Sequence, residues 1–286
     1  MNTGLMTIEA VLGSATRGLA GAGIDGARAE ARLLLAHVLD VPREALLRDS
    51  RQPVERAMAH RFEALIERRM RREPIAYLTG TREFWSLGFE VTPATLIPRP
   101  ESETLVEAAL ARIGPRQGPY RLLDLGTGTG CLLLALLSEL PGARGLGVDL
   151  SEAALVVARR NASRLGLSDR ADFVPGSWGE GLEGRFDLIV SNPPYVAESE
   201  ASTLPPDVAS YEPKGALFGG PDGLSAYRAL APDLVRLLAL GGFAVVELGA
   251  GAAEAVAAIL ADAGLVEVER RRDLAGIVRC SLWTHR

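Results

Sequence analysis

The apolar run Phe186-Asp187-Leu188-Ile189-Val190 goes straight into Ser191-Asn192-Pro193-Pro194-Tyr195, and no other stretch of the chain restricts its fold so firmly. Two consecutive prolines donate no backbone hydrogen bonds and hold φ at roughly −65°, so the chain must leave a sheet stiff and extended. The Asn192 side chain and the carbonyls beside it are thereby held at the carboxyl end of a strand, where open α/β sheets bind ligands. The group that suits such a clamp is a planar –NH2, which needs acceptors for two N–H bonds and an aromatic wall for its face. Pro-Pro alone reads as an ordinary loop closing a strand. Asn-Pro-Pro-Tyr at a strand end, downstream of a glycine-rich loop, reads as an amine clamp.

That loop is Asp124-Leu125-Gly126-Thr127-Gly128-Thr129-Gly130, with Arg121-Leu122-Leu123 before it and the helical run Cys131–Leu137 after it. Strand, tight turn and helix follow one another, and the glycines let backbone approach a ligand lying over the helix start. A second strand, Gly145–Leu150, carries Asp149 near its end, 19 positions after Gly130. A carboxylate there can accept both hydroxyls of a ribose. The dinucleotide-binding pattern would require glycine at position 131, where the chain has Cys131. The compact Gly-x-Gly-x-Gly behind Asp124 is closer to an S-adenosylmethionine loop, which has no pyrophosphate to cradle.

At 286 residues, with 48% hydrophobic and 23% charged residues, the chain is globular and long enough for two domains. A net charge of −5 argues against general coating of nucleic acid, which draws on many Lys and Arg. Lys214 is the single lysine. Cys131 and Cys280 lie in apolar runs and suit reduced thiols. His37, His60 and His285 are scattered, so no metal site is expected. No apolar run reaches membrane-spanning length and no charged-then-apolar leader opens the chain, which makes the cytoplasm the expected compartment.

Residues 1–73 show only helical periodicity, with breaks at Gly21-Ala22-Gly23, Val41-Pro42 and Gln52-Pro53. They hold 12 Arg against 10 Asp and Glu and are slightly basic, the opposite sign to the whole. The cluster Arg68-Arg69-Met70-Arg71-Arg72 ends a helix and suits either the helix dipole or a contact to an RNA-bearing partner. Residues 74–100, aromatic and punctuated by Gly80, Gly88 and Pro93, predict a β-hairpin linker. From residue 101 to 286 strands and helices alternate as in a parallel sheet covered on both faces. Helices are expected over 104–113, 152–165, 224–240 and 252–263. The last two strands, joined by a short loop, should pair antiparallel.

With these motifs in hand, the chain resembles the HemK/PrmC family of peptide chain release factor glutamine methyltransferases. The resemblance rests on Tyr77–Trp85, Ile97-Pro98-Arg99-Pro100-Glu101, the Gly126–Gly130 loop, Asn192–Tyr195 and Tyr211-Glu212-Pro213, in that order along essentially the whole chain. It implies a small helical N-terminal domain, a hairpin linker and a class I methyltransferase domain, a Rossmann-like, mostly parallel seven-stranded sheet of order 3-2-1-4-5-7-6. The implied reaction methylates the side-chain nitrogen of the glutamine in the Gly-Gly-Gln motif of class I release factors, with S-adenosylmethionine as methyl donor and no metal. Carried over by motif, the cofactor residues are Gly126, Thr127, Gly128, Thr129, Gly130, Asp149, Trp178 and Asn192. The substrate residues are Asn192, Pro193, Pro194 and Tyr195, with Asn192, Pro193 and Tyr195 at the chemistry.

Three other readings share parts of this pattern. An adenine amino-methyltransferase would use the same clamp but should show a basic face. A binding-only module has no need of an amine clamp. A ribosomal-protein glutamine methyltransferase is separated only by the linker and the Arg99-Pro100-Glu101 run. The helical domain is expected to dock the protein substrate, with Arg68–Arg72 as a charged contact, because one glutamine side chain offers too few atoms for selectivity.

Overall fold

Leu122 and Leu123 are adjacent, and both are fully buried. In a strand, whose successive side chains point to opposite faces, that requires protein on each face, and the computed structural model, which describes residues 6–286, has that architecture. The first five residues of the helical domain lie outside the described residues. The chain forms two units. One takes residues up to Gly80 together with Pro206–Tyr211, the other Thr81–Pro205 and Glu212–Arg286.

The helical unit contains Ile8–Gly21, Ala27–Leu39, Arg43–Arg48, Arg56–Met70 and Ile75–Thr79. Thr7 caps the first helix by accepting from the Ala10 N–H. Leu19, Leu34, Leu35 and Phe62 form a core in which each fully buried side chain is worth about 1.5–3 kcal/mol. The arginine cluster is largely spent inside this unit. Arg68 pairs with Glu73, buried Arg69 makes two hydrogen bonds to Glu30 at 2.7 and 3.1 Å, and Arg72 donates to the carbonyls of Ala22 and Gly23. Tyr211, on the segment returning from the other unit's sequence, donates to the Arg71 carbonyl at 2.7 Å.

In the larger unit, β1 (Thr81–Phe84) and β2 (Leu87–Glu90) form the hairpin, whose turn residues Trp85 and Ser86 both have positive φ. The stretch expected as a hairpin linker therefore holds the hairpin only over 81–90, with the helix Ile75–Thr79 before it. Seven strands follow: β3 (Arg121–Leu125), β4 (Arg144–Asp149), β5 (Ala171–Pro175), β6 (Phe186–Ser191), β7 (Leu238–Glu247), β8 (Leu265–Arg272) and β9 (Val278–His285). Their order is β5-β4-β3-β6-β7-β9-β8, with β3 to β7 parallel and β9 antiparallel to both neighbours. This is the order 3-2-1-4-5-7-6 that the resemblance implied.

Alternate residues feed two cores. Leu122, Leu188, Val190 and Val245 pack on one face with the helices Glu103–Arg112 and Cys131–Glu139. Leu123, Ile189, Ala244 and Val246 pack on the other with Ser225–Leu237 and Ala253–Asp262. One expected boundary is wrong. The helix read to residue 240 stops at Leu237, and Leu238–Leu240 begin β7, where Leu238 pairs with Phe186 across a bulge. Leu240 is exposed, so the apolar spacing that extended the helix reports no buried face. Among the described residues, no helix is long and apolar enough to cross a membrane.

Candidate active site

Sheet register builds the site. Leu125 pairs with Val148 and Ser191, and Ser191 pairs with Val246. The next residue on each strand therefore falls in one row along the carboxyl edge: Gly126, Asp149, Asn192 and Glu247. A cavity of about 470 Å³ lies over this edge, lined by Gly126, Thr127, Gly128, Thr129, Asp149, Trp178, Asn192 and Pro194 among others. Gly130, Pro193 and Tyr195 do not line it.

On the glycine-loop side the backbone is held from several directions. The N–H groups of Gly126 and Thr127 both donate to the Val148 carbonyl at 2.9 Å. Buried Asn161 donates to the carbonyls of Thr129 and Glu90 and accepts from the Glu90 N–H, joining the loop to the hairpin. Gly130, at φ 79°, precedes the helix Cys131–Glu139, and a Cβ there would press to 3.3 Å on Ala158. Asp149 accepts the Gly128 N–H on Oδ2 at 2.8 Å and the Ser151 N–H on Oδ1 at 2.9 Å. Each carboxylate oxygen keeps a lone pair, and the group cannot rotate. Leu150, next to it, lines the cavity and is 81% exposed.

Two observations test whether a cationic nucleoside ligand fits. Asp124 is buried, with Oδ2 bonded to the Thr127 hydroxyl at 2.7 Å and Oδ1 without a partner among the described residues. Burial first, and then the Asp149 charge, push its carboxyl up to about 7, against the Thr127 bond. Asp124 lies behind the lining residues, and a ligand ammonium reaching its Oδ1 would supply the missing donor. Gly128, at φ 54°, has nothing within 4 Å of the place a Cβ would occupy, so its free side is open to the cavity. The residues fit.

Trp178 forms another wall, its ring 3.6 Å from where a Gly126 Cβ would stand. Its backbone is left-handed, φ 52°, which a bulky residue adopts only when its surroundings impose it. Here Asp233 takes the Gly179 N–H and Arg236 donates to the Gly179 carbonyl.

The other side belongs to Asn192. Among the described residues its side chain makes one hydrogen bond, Nδ2 donating to Ser102 Oγ at 3.3 Å. Ser102 donates in turn to Glu247 Oε2 at 2.6 Å, and Tyr195 donates to Glu247 Oε1 at 3.4 Å. Ser102 and Glu247 are both buried. Burial drives the Glu247 carboxyl up to about 7, opposed by the Ser102 hydrogen bond and the Arg279 charge. Burial, with the Glu247 charge second, raises the Tyr195 phenol. The prolines sit on a rigid bed, since the N–H of Val196 donates to the Leu217 carbonyl and that of Gly219 to the Val196 carbonyl. Arg99 and the Glu212-Pro213 part of the other motif meet here: buried Glu212 accepts from Arg99 at 2.6 Å and from the Ile97 N–H at 3.1 Å, and Arg99 and Pro213 line the cavity.

The structure thus gathers Gly126–Thr129, Asp149, Trp178, Asn192 and Pro194 around one cavity. It places Gly130 behind the loop and Tyr195 against Glu247. Leu150, Ser102 and Glu247 escaped the sequence reading. Glu247 had a signal, the same one that marked Asp149: an acidic residue closing an apolar strand.

Comparison with known proteins adds to this geometry. The model of the PrmC N-terminal domain matches residues 10–80, and that of the methyltransferase small domain matches residues 103–205. A release factor glutamine methyltransferase of Rhodospirillum rubrum is 47% identical over 261 residues, covering 91% of this chain and 80% of that protein. One of Vibrio cholerae is 43% identical over 279 residues, covering 97% and 96%. Among solved structures, the hMettl16 catalytic domain in complex with MAT2A 3'UTR hairpin 6 superposes with a TM-score of 0.55 at 17% identity, covering 80% of this chain and 82% of that one. The T. thermophilus 16S rRNA N2 G1207 methyltransferase in complex with AdoMet and guanosine gives a TM-score of 0.52 at 21% identity, covering 72% and 50%. At such identities these two likenesses concern the fold alone.

Proposed function

The chain belongs to the release factor glutamine methyltransferases, and on that premise we propose that its cavity holds S-adenosylmethionine and that Asn192 presents the glutamine of a class I release factor's Gly-Gly-Gln motif for methylation at the side-chain nitrogen. The observation that carries the reading is the shared row: Asn192 stands beside the glycine loop and Asp149 on one sheet edge and lines the same cavity.

Bound there, S-adenosylmethionine supplies an activated methyl group. The residues do the rest. Asp149, fixed by two backbone N–H groups, accepts the ribose hydroxyls, and Asp124 Oδ1 accepts the ammonium. Gly126 and Gly128 keep the loop low, while Trp178 and Leu150 wall the purine. A carboxamide nitrogen is a poor nucleophile because its lone pair is delocalised. Asn192 Oδ1 and the Pro193 carbonyl hold its N–H bonds, which places the nitrogen in line and favours charge building on it. Tyr195 stiffens the strand end. Loss of the proton follows bond formation, since an amide nitrogen is scarcely basic before it.

The test is an acceptor panel. Labelled S-adenosylmethionine is supplied with a class I release factor, its Gly-Gly-Gln Gln→Ala variant, and adenine-containing nucleic acid. Label on the intact factor alone supports the reading; label on the nucleic acid, or on the Gln→Ala factor, refutes it.

A further inference from the structure

The Asn192 amide has two ends of opposite character, and only one serves the reaction proposed above. Oδ1 can accept the substrate's N–H; Nδ2 would set donor against donor. Free rotation about the last torsion would make the two equally accessible, so something must choose.

The hydrogen-bond inventory makes the choice. An ionised carboxylate only accepts. Glu247 Oε2 takes the one hydroxyl proton of Ser102 across 2.6 Å, a length typical of a charge-assisted bond. Ser102 Oγ then offers nothing but lone pairs to Asn192. The amide must turn Nδ2 toward it, as observed at 3.3 Å, and Oδ1 points the other way. Tyr195 gives its hydroxyl proton to Oε1 of the same carboxylate, and Tyr227 donates to the Glu247 backbone carbonyl at 2.9 Å. Every proton in the cluster flows toward Glu247.

Protonation reverses the flow. A neutral Glu247 can donate to Ser102, which frees the Ser102 proton for Asn192 Oδ1. The amide then turns through half a circle and offers Nδ2 to the substrate. We propose that Glu247, acting through Ser102, is the positioning residue that sets the polarity of the Asn192 clamp, and that its charge switches the clamp between an accepting and a donating state. The charged or titratable groups around Glu247 are Arg279, Glu101, Tyr195, Tyr227, Cys131 and Cys280. Arg279 favours the carboxylate and Glu101 opposes it, while both phenols stay protonated through neutrality. The change of charge near neutral pH therefore belongs to Glu247, whose carboxyl is held up at about 7.

The inference rests on the methyltransferase reading but not on the identity of the amine acceptor. Its test is the pH dependence of kcat, measured with saturating S-adenosylmethionine so that Asp124 titration does not intrude. A glutamine amide does not ionise in this range. In the wild-type enzyme kcat should rise through neutral pH as Glu247 loses its proton. Glu247→Gln and Ser102→Ala should each lower kcat about 10- to 100-fold. They should also lose that rise and keep S-adenosylmethionine affinity within about threefold. Ser102→Thr keeps the hydroxyl and should restore both rate and pH profile. Affinity for S-adenosylmethionine also reports that each variant is folded, and the small Ser102 exchanges serve if Glu247→Gln is not. A wild-type pH profile in Ser102→Ala or Glu247→Gln would overturn the proposal, as would a Ser102→Thr enzyme no better than Ser102→Ala. If the wild-type enzyme labels another amine acceptor instead of a release factor, the release-factor reading falls. The same variants assayed on that acceptor then still decide the role of Glu247.

Discussion

Asp149 and Glu247 end two strands of one sheet in the same row, yet their surroundings are opposite in character. Asp149 is half-buried and its oxygens are held by backbone N–H groups, so it stays available to a ligand. Glu247 is fully buried, does not itself line the cavity, and meets it through a serine, with a tyrosine on its other oxygen. Position in the row says that both belong to the site. Burial and partners differ, and on the proposed reading one binds and the other orients.

The largest way to test this division is Asn192→Ala. It removes the acceptor aimed at the reacting nitrogen, and turnover should fall by about 10²–10³, the cost of losing one preorganised hydrogen-bonding partner. Affinity for S-adenosylmethionine, measured by calorimetry, should barely move. Turnover at the wild-type level would remove Asn192 from the chemistry. Asp149→Ala should do the reverse, weakening S-adenosylmethionine by about 1.5–3 kcal/mol because ribose hydroxyls lose a charged acceptor and two backbone donors lose theirs. Unchanged affinity would sever Asp149 from the ligand.

Glu247 makes a prediction of its own about stability. Its carboxyl titrates at about 7 in the fold against an ordinary 4.5. The folded state therefore holds the proton more tightly, and the stability this brings is complete below the ordinary value and lost as pH rises through the folded one. Glu247→Gln does not titrate. Above neutrality it should be more stable than the wild type by about 1–3 kcal/mol, with the advantage shrinking on acidification. Equal melting temperatures across that range would mean that burial does not strain the carboxylate. A residue beside the clamp whose charge costs stability fits a functional role better than a structural one. The smallest effect is expected from Trp178→Leu, which keeps an apolar wall but loses ring stacking, about 0.5–1.5 kcal/mol in S-adenosylmethionine affinity.

What the sequence disclosed follows the same line between local and distant contacts. The glycine loop, Asp149 and Asn192-Pro-Pro-Tyr are each written within a few residues, so strand, turn and chemistry can be read together. The alternation of helix and strand was legible for the same reason. Ser102 and Glu247 lie 145 positions apart and meet only through sheet register, so no local pattern joins them. For the Arg68–Arg72 cluster the charge was visible in the sequence but its partners within the fold were not. Glu30, 39 positions from Arg69, already occupies it. Three of its arginines are engaged within their own unit. The Leu238–Leu240 boundary failed because apolar spacing alone does not reveal which residues a neighbouring strand will pair.

The most direct measurement is the position of the transferred methyl. After reaction with S-adenosylmethionine, the release factor is digested and its peptides fragmented by mass spectrometry, with the Asn192→Ala enzyme in parallel. The site described here predicts a single methyl on the side-chain nitrogen of the Gly-Gly-Gln glutamine, nearly absent with the variant. A methyl on any other atom of the factor, or an equal yield from Asn192→Ala, would contradict it.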